Sequence, residues 1–231
     1  MWDDGQHSQS YKFRVTPDYF RTAARPPVPG MRFSRVEMRQ IAISVIVLTL
    51  AFSMVLSGGL YGLLGGLKAA QAALIIFASF IAVSTGFLLH ELGHKKVAQG
   101  YGCFAEYRMS PQGLFLAIIT SVFGFLFALP GAVVISGPID AEQNGKISVA
   151  GPSVNILIGA ACLVPLLLID LPNIVFGILY IVAFVNGILA VFNMLPIPPL
   201  DGSKIFYWDK SIYVIAMALA IALAVTVFVY V

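Results

Sequence analysis

Residues 72–96 read AALIIFASFIAVSTGFLLHELGHKK. The run from Ala70 to Leu89 is nearly all apolar, and its length is close to the roughly 20 residues that a bilayer-crossing helix needs. It ends in His90, Glu91 and His94. Each helical residue turns about 100°, so residues four apart lie about 40° apart in azimuth. His90 and His94 therefore point the same way, and Glu91, three before His94, shares their face. This H-E-x-x-H spacing lets two imidazoles hold one metal ion while the carboxylate reaches a water beside it. In soluble proteins the pattern also arises by chance, as a pair of surface histidines with no role. Here it ends an apolar run, and ionisable groups at membrane depth cost several kcal/mol and mark function. The chain has 3 histidines, and two of them fall in this motif.

The rest of the chain agrees with a membrane setting. Of its 231 residues, 59% are hydrophobic and 11% charged, against roughly a quarter charged in soluble domains. The net charge is +3, and the basic residues are not clustered among aromatics, which excludes nucleic acid as a partner. Cys103 and Cys162 lie far apart and read as two unpaired thiols. Residues 1–40 form a polar, basic tail, read as cytoplasmic, mostly disordered and without a signal peptide. His7 in that tail has no assigned role. Residues 41–231 form the transmembrane domain, with a core at about 69–203.

Five runs have spanning length: Ile41–Leu60, Ala69–Gln99, Ser148–Ile169, Ile174–Leu195 and Ile212–Val231. The stretch Gly113–Val134 is apolar but carries Gly124, Pro130 and Gly131. Five crossings put Lys95, Lys96, Arg108, Lys146, Lys204 and Lys210 on the tail's side and leave Lys68 outside. A sixth would move Lys146, Lys204 and Lys210 across, against the positive-inside rule. The expected fold is an all-α polytopic membrane protein. It has about five to six transmembrane helices, with a re-entrant or β-containing membrane segment after the H-E-x-x-H helix.

A catalytic zinc takes three protein ligands and keeps a fourth position for water. With His7 in the tail, the third ligand is Asp, Glu or Cys. Asp201 is the best candidate, after a span and the helix-breaking Pro196, Pro198 and Pro199, with Gly202 allowing a tight turn. The alternative is an ordinary turn with Asp201 facing water. Two crossings between His94 and Asp201 return the chain to the same depth, whereas three would not. The stretch Cys103–Met109 alternates partly like a strand. It offers either an edge for an extended substrate or an ordinary surface strand.

At these residues the chain resembles the site-2 protease family of intramembrane metalloproteases. The resemblance rests on His90-Glu91-Leu92-Gly93-His94, on Ala150-Gly151-Pro152-Ser153-Val154-Asn155, and on Asn193 through Leu200-Asp201-Gly202, in that order. It covers about Ala69 to Ser203. It implies one zinc ion per chain, bound by His90, His94 and Asp201, with Glu91 as catalytic base. It also implies a transmembrane protein substrate cut within the lipid bilayer by a zinc-activated water. Asn193, eight residues before Asp201, would orient substrate or oxyanion, or else pack helices. Asn155 reads as a packing residue at a helix start. A metal-binding transporter and a catalytically silent scaffold are the other readings. The oligomeric state is left open.

Overall fold

In the computed structural model, Ser34 opens the first helix by accepting the Glu37 N–H on its Oγ at 3.1 Å. The residues described are 30–230, so His7 and most of the basic tail lie outside them. The first helix, α1 (Arg35–Leu56), begins ahead of the expected Ile41. A short α2 (Gly59–Leu64) follows. Next come α3 (Ala69–Val83), a π-helical turn (Ser84–Leu88) and α4 (Leu89–Gly100), which form one continuous 32-residue helix. Beyond it lie β1 (Phe104–Met109), α5 (Pro111–Val122), β2 (Gly131–Ser136) and α6 (Ala141–Leu168). The chain ends in α7 (Asn173–Asn193), α8 (Asp201–Trp208) and α9 (Lys210–Tyr230).

Among the described residues, 5 helices are long and apolar enough to cross a membrane. The stretch Gly113–Val134 adds none. Its helix α5 has 12 residues, about 18 Å at 1.5 Å per residue, well short of the roughly 30 Å hydrocarbon core. The chain then turns and returns as β2. The helix carrying Gly151 and Asn155 starts earlier than expected. Asp140 and Gln143 cap it reciprocally, which fixes its start at Ala141 and places Asn155 well inside.

The hairpin decides what surrounds the metal-motif helix. β1 and β2 pair antiparallel, with Tyr107 opposite Val133 and Ala105 opposite Ile135. Tyr107, Ala105, Val133 and Ile135 turn inward and pack in the core. Backbone groups at these odd-numbered positions point away from the ladder, as in any non-hydrogen-bonded antiparallel pair. On the β1 side they meet side chains of α1 and α4. Glu37 accepts the Tyr107 N–H at 2.9 Å, Gln40 accepts the Met109 N–H at 3.1 Å, and Lys95 Nζ donates to Ala105 O at 2.8 Å. The strand expected at Cys103–Met109 is thus present, but its outer edge is covered. The outer edge of β2 meets Glu91 of α4 instead, through the Val133 N–H, and lines a cavity.

Candidate metal centre

The π turn lies directly before His90, and such turns recur at functional sites. Its Gly86 packs against α7: an added Cβ would stand 2.9 Å from Leu189 Cδ1 and 3.0 Å from Val185 Cγ1. Gly93 likewise lets α4 approach α6, with Ala150 O only 3.1 Å from its would-be Cβ. Small residues at such crossings allow membrane helices to come close. On α6, Gly151 leaves room for the imidazoles themselves. A Cβ there would clash with His94 Nε2 and lie 2.6 Å from His90 Nε2.

Asp201, at the start of α8, reaches the same point. Its Oδ2 is 3.0 Å from His94 Nε2 and 3.4 Å from His90 Nε2, and the two ring nitrogens are 3.0 Å apart. Each of the three residues is less than a tenth exposed. Gly202, in the first turn of α8, packs so closely on the preceding chain that a Cβ there would clash with Met194 O.

The hydrogen bonds on the far side of each ring fix its tautomer. His94 Nδ1 lies 2.7 Å from Ile147 O, which can only accept, so Nδ1 carries the proton. His90 Nδ1 lies 2.5 Å from Asn155 Oδ1. Asn155 donates its Nδ2 hydrogens to Gly86 O at 2.8 Å and to Asn186 Oδ1 at 2.9 Å, so its oxygen faces His90 as an acceptor. In their neutral forms both rings therefore point their Nε2 lone pairs toward the carboxylate, and the three candidate ligand atoms lie within 4.8 Å of one another. That donor set, two imidazoles and one carboxylate, suits zinc, and the carbonyl and amide behind the rings are the usual orienting partners of metal-bound histidines.

Glu91 stands beside this group, its Oε2 accepting the Val133 N–H at 3.0 Å. Asn193 bonds its own helix through Leu189 O at 3.0 Å. Both line a cavity of about 810 Å³ that also takes in His90, His94, Asp201 and the β2 strand. The sequence reading missed Asn155 as the partner of His90. The two lie 65 residues apart, and only the Gly-Pro-x-x-Asn resemblance hinted at it. Cys103 and Cys162 are both free.

A model of peptidase family M50 matches residues 169–208. The chain is 36% identical over 186 residues to "Putative zinc metalloprotease MJ0611" of Methanocaldococcus jannaschii, covering 80% of this chain and 90% of that one. It is 32% identical over 126 residues to "Zinc metalloprotease MJ0392" of the same organism, covering 54% of this chain and 32% of the relative. It is 28% identical over 173 residues to "Putative zinc metalloprotease Rip3" of Mycobacterium tuberculosis, covering 72% and 40%. The chain thus spans well under half of these last two relatives. No solved structure matches. With five spanning helices around a His-His-Asp cluster, and one relative aligned over nearly its whole length, the chain belongs to peptidase family M50, the site-2 protease family, and is a zinc metalloprotease of the membrane.

Proposed function

We propose that this protein hydrolyses peptide bonds of transmembrane substrates within the bilayer, with one zinc ion held by His90, His94 and Asp201 and with Glu91 as general base. The observation that carries this is the convergence of two imidazoles and a carboxylate within 4.8 Å of one another, beside Glu91 in one cavity among apolar helices. A zinc ion bound by these residues would supply Lewis acidity for polarising a carbonyl and for lowering the pKa of a water toward about 7. Glu91 Oε2 is engaged by the Val133 N–H, so Oε1 is the oxygen left to accept the water's proton and deliver it to the leaving amine. Asn193 keeps a second amide hydrogen beyond its bond to Leu189 O, available for a substrate carbonyl or oxyanion.

Carbonyls in a substrate helix are already hydrogen-bonded, so the segment must unwind before it is cut. The outward N–H and C=O groups of Gly131 and Ile135 on β2 offer an unwound segment a partner strand beside the centre. The charge distribution between spans supports a cytoplasmic N-terminus and a centre toward the cytoplasmic side. The test uses detergent-purified, zinc-loaded protein. Its probe is a synthetic single-span peptide with a Pro-Gly pair in the membrane segment, flanked by a fluorophore and a quencher. Cleavage should stop with a chelator, return with zinc, and be absent from a Glu91→Gln variant that retains the metal. If the metal-loaded parent cuts none of a panel of such peptides, the proposal fails and the metal transporter becomes the better reading.

A further inference from the structure

Glu37 and Lys95 are 0% exposed, and the proposed chemistry uses neither. Lys95 Nζ commits all three of its hydrogens, to Glu37 Oε1 at 2.7 Å, Glu37 Oε2 at 2.7 Å and Ala105 O at 2.8 Å. Glu37 Oε1 takes the Tyr107 N–H as well, at 2.9 Å. The Phe33 ring lies 4.6 Å from the ammonium. Stability alone is a weak reason for such a pair, since well-packed apolar side chains often serve as well or better. A salt bridge with every donor and acceptor committed differs from an apolar pair in fixing direction.

The directions are specific. Lys95 follows His94 on α4, Glu37 belongs to α1, and both bond the backbone of β1. Tyr107 is directly opposite Val133, and the Val133 N–H meets Glu91 at 3.0 Å. Glu91 and Lys95 are one helical turn apart on α4. The metal-motif helix therefore holds the hairpin at two points, Lys95 on β1 and Glu91 on β2, and the Glu37 carboxylate locks the first of them.

We propose that the Glu37–Lys95 pair is a positioning device for the catalytic base, setting the hairpin against α4 at the height where the Val133 N–H engages Glu91. This rests on reading Glu91 as the base. The pair touches no substrate and acts through the hairpin.

The test is the double variant Glu37→Gln/Lys95→Met in the zinc-loaded protein, assayed with the quenched single-span peptide. The new amide at position 37 can still accept the Tyr107 N–H, and Ala105 O keeps Gln99 Nε2 at 3.2 Å, so neither backbone group is orphaned. The zinc content should match the parent and KM should stay within about threefold. Misplacement of a reacting group by about 1 Å costs on the order of a hundredfold, so kcat should fall at least about tenfold. A smaller fall in kcat, or a fall matched by equal zinc loss, overturns the proposal. Glu37→Gln alone is isosteric and covers the case in which the double variant does not fold. Hydrogen exchange of the peptide spanning Gly131–Ser136 should then quicken about tenfold or more, with α9 unchanged, because local opening is read separately from global unfolding. Unchanged protection in the hairpin, or equal loosening of α9, overturns it. A Glu91→Gln variant that still cleaves would instead sink the base assignment, which the exchange measurement does not address.

Discussion

Glu37 and Glu91 each accept a backbone N–H from one member of the same cross-strand pair, Tyr107 on β1 and Val133 on β2. The local contact is the same and the surroundings differ. Glu37 is fully buried and neutralised by Lys95. Glu91 borders the cavity and faces His90, His94 and Asp201. An open strand edge invites unwanted pairing, and proteins close or cover edges for that reason. This hairpin closes one edge with a buried ion pair and Gln40, and turns the other toward the metal centre. The same local contact thus sits in two settings, a sealed ion pair at Glu37 and a cavity wall at Glu91.

That contrast can be broken most severely at Glu91. Glu91→Gln keeps an oxygen for the Val133 N–H but removes the proposed base. We expect kcat to fall by about 10³, within the range general base catalysis supplies, with zinc content unchanged on elemental analysis. The next effect lies behind the metal. Asn155→Ala removes the acceptor that orients His90, and zinc affinity should drop about 10–100-fold in a chelator competition, the usual cost of losing such a partner. On the open edge, Ile135→Pro deletes an outward N–H without touching the ladder. The kcat/KM for the single-span peptide should fall about tenfold, the worth of one or so hydrogen bonds, in protein held well below its unfolding midpoint, which will itself drop because Ile135 also packs in the core. Equal activity would show that substrate does not pair there. On the closed edge, Gln40→Ala leaves the Met109 N–H without its partner. Stability should drop by about 1 kcal/mol in a denaturant titration, with activity unaffected.

What the sequence disclosed follows from range. His90, Glu91 and His94 are legible because helical periodicity is local, and the spans because hydropathy is summed over a window. Asp201 required only the parity of crossings and a run of prolines. Apolarity alone could not separate a crossing from the α5–β2 excursion at Gly113–Val134, since a short helix and a strand lining a cavity are as apolar as a span. Nor could spacing reveal that Cys103–Met109 supplies the covered strand, because the side chains covering it come from α1 and α4. The bond from Asn155 to His90 and that from Glu37 to Lys95 span 65 and 58 residues. A carboxylate before a first span reads as tail polarity until its lysine is seen.

The π turn at Ser84–Leu88 joins two jobs of one helix. Upstream, α3 presents apolar residues to lipid and to its neighbours. Downstream, α4 aims two imidazoles at Asp201. A π turn closes i→i+5 bonds where an α turn closes i→i+4, so it accommodates one residue more. Deleting one residue there would leave a span of ample length and hydrophobicity, but would tighten the backbone at Gly86, whose carbonyl accepts the Asn155 amide at 2.8 Å. The surplus residue thus serves the amide behind His90 rather than the crossing of the membrane.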